Sequence, residues 1–236
     1  MGIFTQRNSC EDAAYLTTMR ERLCLEFEDS SRAGCADDVV AGLEVSRVLD
    51  VACGVGQALL PLAVGHGAFG VGVDLSEMAC RMGSESFASH LPEAPTAFVR
   101  GQAESLPFAS ASFDVVNCAL SLPYTNNRKA IAEMSRVLRP GGLLILRIHH
   151  ALYYTWMLQR GLKSLDFHPI VHAAKVLVAG TIYHLSGRQC RVRWFTETFQ
   201  TRWLLRRDLE MAGLYIDYEL AGSHPQSPTF AISKRS

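Results

Sequence analysis

Charge of one sign is what this chain lacks most plainly. Its 23 Lys and Arg residues against 23 Asp and Glu leave a formal net charge of zero over 236 residues, so the molecule as a whole has no electrostatic pull toward polyanions such as nucleic acid. A Cys-x-x-Cys pair is also missing. The seven cysteines, Cys10, Cys24, Cys35, Cys53, Cys80, Cys118 and Cys190, are odd in number and scattered. That argues against a zinc clasp or a disulfide framework and leads us to expect reduced thiols, no bound metal and a cytoplasmic location. No apolar run reaches the length a bilayer span requires, and the first residues lack the charged-then-apolar order of a secretion signal. The expectation is a protein without a transmembrane segment.

Apolar sequence, by contrast, is plentiful. With 48% hydrophobic residues the chain can bury a substantial core, and its length favours one domain, 1–236, carrying an elaboration. Helical spacing of Tyr15, Leu16, Met19, Leu23 and Phe27 predicts a first helix over 10–29, either a cover on the ligand side of a sheet or a plain surface helix. Short buried-type runs then alternate with helical ones: strand 46–51, helix 57–64, strand 68–74, a helix from Ser76, strands 96–100 and 113–119, helix 128–138, a Pro140-Gly141-Gly142 turn and strand 143–148. After an interruption, a helix over 199–212 leads to strands 215–220 and 229–233. Repeated β then α with short connections implies an α/β fold with a doubly wound, mostly parallel seven-stranded sheet. The interruption, 149–195, reads as a helical insertion after the fifth strand, where extra elements often cover a ligand crevice.

Two features carry chemistry before any family enters. The small-residue turn Ala52-Cys53-Gly54-Val55-Gly56 lets a backbone approach a ligand closely, although any tight strand-to-helix turn accepts Gly-x-Gly. Asp74, about twenty residues past that turn, ends the second strand and can accept hydrogen bonds from a ribose diol. The same residue could instead cap the helix that starts at Ser76.

The ordered series Val48-Leu49-Asp50-Val51-Ala52-Cys53-Gly54-Val55-Gly56, Gly72-Val73-Asp74-Leu75-Ser76, Gly101-Gln102-Ala103-Glu104-Ser105-Leu106-Pro107-Phe108, Ser112-Phe113-Asp114-Val115-Val116 and Glu133-Met134-Ser135-Arg136-Val137-Leu138-Arg139-Pro140-Gly141-Gly142 resembles the motifs of class I S-adenosylmethionine-dependent methyltransferases, in the branch of the ubiquinone and menaquinone methylases. The resemblance covers 48–148 and implies a Rossmann-like methyltransferase fold with S-adenosyl-L-methionine as cofactor. It implies further that Asp50 and the backbone of Ala52, Gly54 and Gly56 surround the methionyl part and that Asp74 holds the ribose. Gln102 and Ala103 would lie beside the adenine, Leu75 and Met78 would give it apolar contact, and carbonyl groups near Cys118 and Ala119 would meet the amino group. The chain departs from the family at Ala52, where glycine is common, at Gln102, where an acid is common, and at Pro123-Tyr124, where relatives place His or Trp.

Methyl transfer from a sulfonium is an in-line displacement, so it needs positioning first and a base only when the acceptor arrives protonated. Candidate bases are His149 and His150, which leave the fifth strand together, and Tyr124; the sequence does not choose between the two histidines. The stretch 170–185 carries Lys175 as its one formal charge, and suits the roof of an apolar pocket, a peripheral contact with a bilayer surface, or a core helix. The acceptor expected is a small apolar or aromatic molecule. Arg188, Arg191, Arg193, Arg202, Arg206 and Arg207 with Trp194, Phe195 and Trp203 form one basic, aromatic neighbourhood, diluted by Glu197, Asp208 and Glu210, and a neutral whole speaks against nucleic acid. Nothing in the sequence sets the oligomeric state. Two rival readings stand beside the methyltransferase: a nicotinamide-dependent oxidoreductase, which shares the glycine turn and the acid, and a non-catalytic cofactor-binding partner protein.

Overall fold

The computed structural model describes residues 9–28, 37–40, 42–190, 197–221 and 223–235. Its centre is a seven-stranded sheet in the order β3-β2-β1-β4-β5-β7-β6. The strands are β1 (Arg47–Val51), β2 (Phe69–Asp74), β3 (Thr96–Arg100), β4 (Phe113–Ala119), β5 (Leu138–Arg147), β6 (Leu214–Glu219) and β7 (Thr229–Lys234). From β3 to β5 every pairing is parallel, while β7 runs antiparallel to both β5 and β6. Because β1 and β4 are buried along almost their whole length, both faces of the sheet must be covered by helices.

Alternation along the strands divides the core into two layers. Val48, Val115, Ile145 and Ala231 point to one face, which packs against α1 (Ser9–Glu28), α3 (Leu59–Leu62) and α4 (Glu77–His90). Leu49, Val116, Leu144 and Ile232 point to the other, covered by α5 (Asn127–Val137) and α8 (Arg202–Glu210). The short α2 (Asp37–Val40) lies between α1 and β1 in the chain. Helix α1 is anchored by Leu16 and Leu23, and by Phe27, whose ring meets Phe87 edge-on at 5.1 Å and stacks on His90 at 4.9 Å. It therefore packs on α4 rather than standing free.

After β5 the chain forms α6 (Ala151–Ser164) and α7 (Phe167–Ser186), two helices joined by a tight turn. Gly161 lets them approach, since a Cβ there would meet Ile170 at 2.8 Å. The pair is tied down at Asp208 of α8, a buried carboxylate that accepts from the Tyr183 hydroxyl at 2.5 Å and from Arg128 of α5 at 3.2 Å.

Two elements differ from their sequence reading. The helix expected over 57–64 is one α turn, Leu59–Leu62, followed by a 3-10 turn, Val64–His66, that Gly67 closes at φ +66°. Pro61 and two glycines shorten it. The Pro140-Gly141-Gly142 turn is instead part of β5, which starts at Leu138 and bulges: Phe113 pairs with Leu138, but Val115 pairs with Leu143. Gly141, at φ +73°, supplies the backbone the bulge needs.

Candidate active site

Parallel strands bring their carboxyl ends to one edge of the sheet. The cofactor-side residues named from the sequence converge there, because each lies at or just past the end of β1, β2, β3 or β4. The turn after β1 is built from left-handed backbone at Ala52 (φ +56°), Gly54 (φ +56°) and Gly56 (φ +88°). At Gly56 the absence of a side chain is a packing need, since a Cβ would press to 2.7 Å from the Phe98 ring. At Gly54 it would meet nothing within 4 Å, so that face is open. Ala52 holds a conformation that costs an L-residue roughly 1–2 kcal/mol. The departure from glycine noted in the sequence is thus a strained one.

Asp74 holds this turn from the neighbouring strand. One carboxylate oxygen accepts the Gly54 N–H at 2.9 Å and the other accepts the Ser76 N–H at 2.8 Å. A carboxylate has about four acceptor positions, so two remain. The cap of α4 is Ser76, whose hydroxyl accepts from Ala79 at 3.2 Å. Directly beyond, Leu75 and Met78 leave 37% and 41% of their surface in solvent, two apolar side chains on the rim of the open turn.

Asp50 lies beneath the turn, almost wholly buried, and accepts from the Asn117 amide of β4 at 2.7 Å. Burial pushes its carboxyl up to about 7; the Asn117 bond opposes this and the negative charge of Asp74 adds to it. Two thiols share the environment. Burial, with Asp50 as a second cause, raises Cys53 well above the usual thiol range, whereas Cys118, bonded to the Ser121 hydroxyl, is pushed up to about 12, chiefly by burial. Neither is a ready nucleophile. Ala119, one residue on, is exposed.

The loop with Gln102 and Ala103 is fixed by a clamp from α5. Glu133 accepts the Leu106 N–H at 2.8 Å, while Arg136 donates to the carbonyls of Leu106 and Phe108 at 3.0 and 2.8 Å and pairs with Glu133 at 2.7 Å. The bond from Arg136 is the main reason the Glu133 carboxyl lies below its ordinary range. Gln102 itself is exposed and makes an isolated bridge with Ser105. Two segments of the motif series, apart in sequence, are therefore one device.

At the end of β5 the two histidines part company. His150 caps α6, its Nδ1 accepting the Leu152 N–H at 3.3 Å. His149 leans on the Tyr153 ring, centroids 4.5 Å apart, and its Nδ1 is buried with no partner, one of two such atoms among the described residues. The other, Gln200 Oε1, belongs to the residue whose N–H donates to the His149 carbonyl at 3.1 Å. Burial lowers both imidazoles; Glu197 partly offsets this at His149 and Arg202 adds to it at His150.

Around His149 lies a buried polar cluster. The fully buried Tyr154 donates to Glu197 at 2.7 Å, and Glu197 faces His172 at 3.1 Å through its other oxygen. Burial acts to raise the Glu197 carboxyl, yet the bonds from His172 and Tyr154 outweigh it and hold it below its ordinary value. Tyr124, on the 3-10 turn Leu122–Tyr124, contributes with burial and Glu197 to pushing the Tyr154 phenol up. Asn117, Glu133, Arg136 and Glu197 escaped the reading of single residues. Asn117 had a signal, an amide between the buried Val116 and Cys118; Glu197 had none beyond its type.

Of the basic neighbourhood, Arg202 is paired with Glu219 at 2.8 Å and Arg207 with Asp208 at 3.3 Å. Arg191, Arg193, Trp194 and Phe195 lie outside the described residues. Among the described residues, no helix is long and apolar enough to cross a membrane.

Comparison with known proteins agrees with this fold. Residues 49–146 match the family model described as a methyltransferase domain. Among curated relatives, the chain is 35% identical over 136 residues to a demethylmenaquinone methyltransferase of Renibacterium salmoninarum, covering 54% of each chain. It is 33% identical over 101 residues to an O-methyltransferase of Aspergillus nomiae, covering 42% of this chain and 45% of that one. The chain thus matches about half the length of these relatives. Among solved structures, the YcgJ protein of Bacillus subtilis superposes with a TM-score of 0.58 at 18% identity, over 86% of this chain and 98% of that one. The PH0226 protein of Pyrococcus horikoshii gives 0.59 at 21%, over 84% and 86%.

Proposed function

We propose that the chain is an enzyme that transfers a methyl group from S-adenosyl-L-methionine to a small apolar or aromatic acceptor. The observation that carries this reading is the braced, open turn: Asp74 fixes Gly54 from β2, the space above Gly54 is clear, and Asp74 keeps two acceptor positions. A nucleoside with a diol and an aminoacyl arm fits those features. The diol would take the free positions of Asp74, Leu75 and Met78 would flank the base beside Gln102 and Ala103, and Asp50 with the backbone of Ala52, Gly54 and Gly56 would face the arm. The exposed backbone near Cys118 and Ala119 would offer it carbonyl groups.

When bound, this cofactor supplies an electrophilic methyl group. The chain's own contribution is to hold acceptor and methyl in line and to keep water out. On our reading α6 and α7, the helical part of the 149–195 insertion, form the acceptor wall, and His149 is the residue placed to take a proton. Its Nδ1 is unpartnered in an aromatic setting, and lowering by burial keeps it neutral at pH 7. Tyr124 lines the same wall, and its part is to shape it. Relatives named for quinone methylation and O-methylation support an apolar or aromatic acceptor.

Calorimetry tests the assignment. S-adenosylmethionine should bind with NAD giving no heat, and Asp74→Ala should weaken the affinity at least about tenfold, through the loss of charge-assisted hydrogen bonds to the diol together with the brace on Gly54. Tight NAD binding without S-adenosylmethionine binding would instead support the dehydrogenase reading. Cofactor binding with no product in an acceptor screen would support a non-catalytic partner.

A further inference from the structure

The α6–α7 hairpin carries surface that neither the sheet nor the candidate site uses. Helix α7 turns Ala173, Val176, Ala179, Gly180 and Tyr183 into the protein. On its opposite side Phe167, Val171, Val178, Ile182 and Leu185 recur at helical spacing and are 44–84% exposed. A helix flank facing water is ordinarily polar. This one is predominantly apolar, with Lys175 as the one formal charge on the same stripe.

The turn between the helices sharpens the anomaly. Leu165 closes α6 in left-handed backbone, φ +53°, with 79% of its surface exposed. Glycine or asparagine suits that position, and a branched apolar side chain is disfavoured there both by backbone sterics and by water. Phe167, two residues on, is 77% exposed. Beside this turn an open groove of about 360 Å³ is lined by Trp156, Gln159, Arg160, Lys163 and Ser164, with the Arg160 guanidinium 5.4 Å from the Trp156 ring.

Charge completes the pattern. Between residues 151 and 188 the chain has four basic side chains, Arg160, Lys163, Lys175 and Arg188, and one acid, Asp166, in a protein that is neutral overall. Asp166 is occupied as the cap of α7.

We propose that this hairpin docks on an anionic lipid bilayer, with Leu165 and Phe167 entering the acyl boundary and Arg160 and Lys163 meeting lipid phosphate. An interfacial helix combines an apolar flank with Lys and Arg and places Trp at the boundary, as here. Pairing with a second copy through the same face would set this cationic patch against itself, whereas an anionic surface complements it. Because α6 begins just after His150 and ends at Leu165, docking by this turn would set the acceptor wall of our proposed function against the membrane.

Vesicle sedimentation tests this. The chain should sediment with phosphatidylcholine vesicles containing about one quarter phosphatidylglycerol, bind phosphatidylcholine alone poorly, and be released by salt. The pair Leu165→Asp and Phe167→Asp, and separately Arg160→Glu with Lys163→Glu, should each lower binding about tenfold or more. Aspartate tolerates left-handed backbone, and an unchanged thermal midpoint would show that the variants fold. Failure to sediment with either vesicle, or equal binding by wild type and variants, overturns the proposal. So does a concentration-dependent dimer abolished by the Leu165 and Phe167 pair, which would give the face to a second copy.

Discussion

At the scale of single residues, the clearest division is between two adjacent histidines. His150 has its Nδ1 committed to the Leu152 N–H, while the Nδ1 of His149 is buried and unpartnered. His149→Gln should therefore lower turnover by about 10²–10⁴-fold with little effect on cofactor affinity. In contrast, His150→Ala should cost about 1 kcal/mol of stability through the lost cap and leave turnover within a few-fold. Turnover should also fall with acid only below the ordinary histidine range, because burial lowers the His149 imidazole. Rates and melting curves of both variants separate the roles, and a fully active His149→Gln enzyme would remove the base. The sequence places the two histidines side by side and contains nothing that distinguishes them. What distinguishes them is the company each keeps after folding: Tyr153 and Glu197 for one, a helix end for the other. The partner of Asn117 was equally illegible, since Asp50 is 67 residues away and meets it only across two paired strands.

Among the elements, the parallel strands were easy to read because burial on both faces leaves continuous apolar runs, and six of seven strands lie within a residue of their sequence bounds. The exception, β5, shows what a local reading misses. Pro140-Gly141-Gly142 is turn chemistry, yet the partner strand β4 keeps pairing across it and converts it to a bulge. Helix α3 was overread for the opposite reason, its apolar residues being those of a longer helix while Pro61, Gly65 and Gly67 cut it short. A test at this scale concerns α7. Alanine in a helix interior gains about 1 kcal/mol over glycine, but a Cβ at Gly180 would enter the Phe199 ring, and overpacking costs about 1–3 kcal/mol. The clash wins, so Gly180→Ala should lower stability in urea by about 1 kcal/mol, and adding Phe199→Leu should recover part of it. A stabilised Gly180→Ala protein would mean that the ring moves aside and that α7 is loosely held.

For the molecule as a whole, stability should depend on pH through Asp50. Its carboxyl titrates near 7 in the fold against an ordinary value of 3.8, so the native state binds the extra proton between those limits. The stability associated with Asp50 is present in acid and is lost as pH rises toward 7, on the order of 4 kcal/mol at most. Comparing urea unfolding of wild type and Asp50→Asn at pH 5 and pH 8 should show wild type losing ground at the higher pH. A difference independent of pH would place the ionised form of Asp50 in a better-solvated setting than its burial implies. A cationic amino group bound beside Asp50 would pull the titration down, so cofactor affinity should rise over the same interval.

The two bonds made by Asp74 have a consequence for redesign. The carboxylate assigned to the ribose also fixes the shape of the loop after β1 and the first turn of α4, so a substitution meant to alter nucleotide preference would deform the platform on which any nucleotide must lie. Re-engineering of this protein therefore has to start from Leu75, Met78 and Gln102, whose exposed side chains can be exchanged with Asp74 and its loop kept in place.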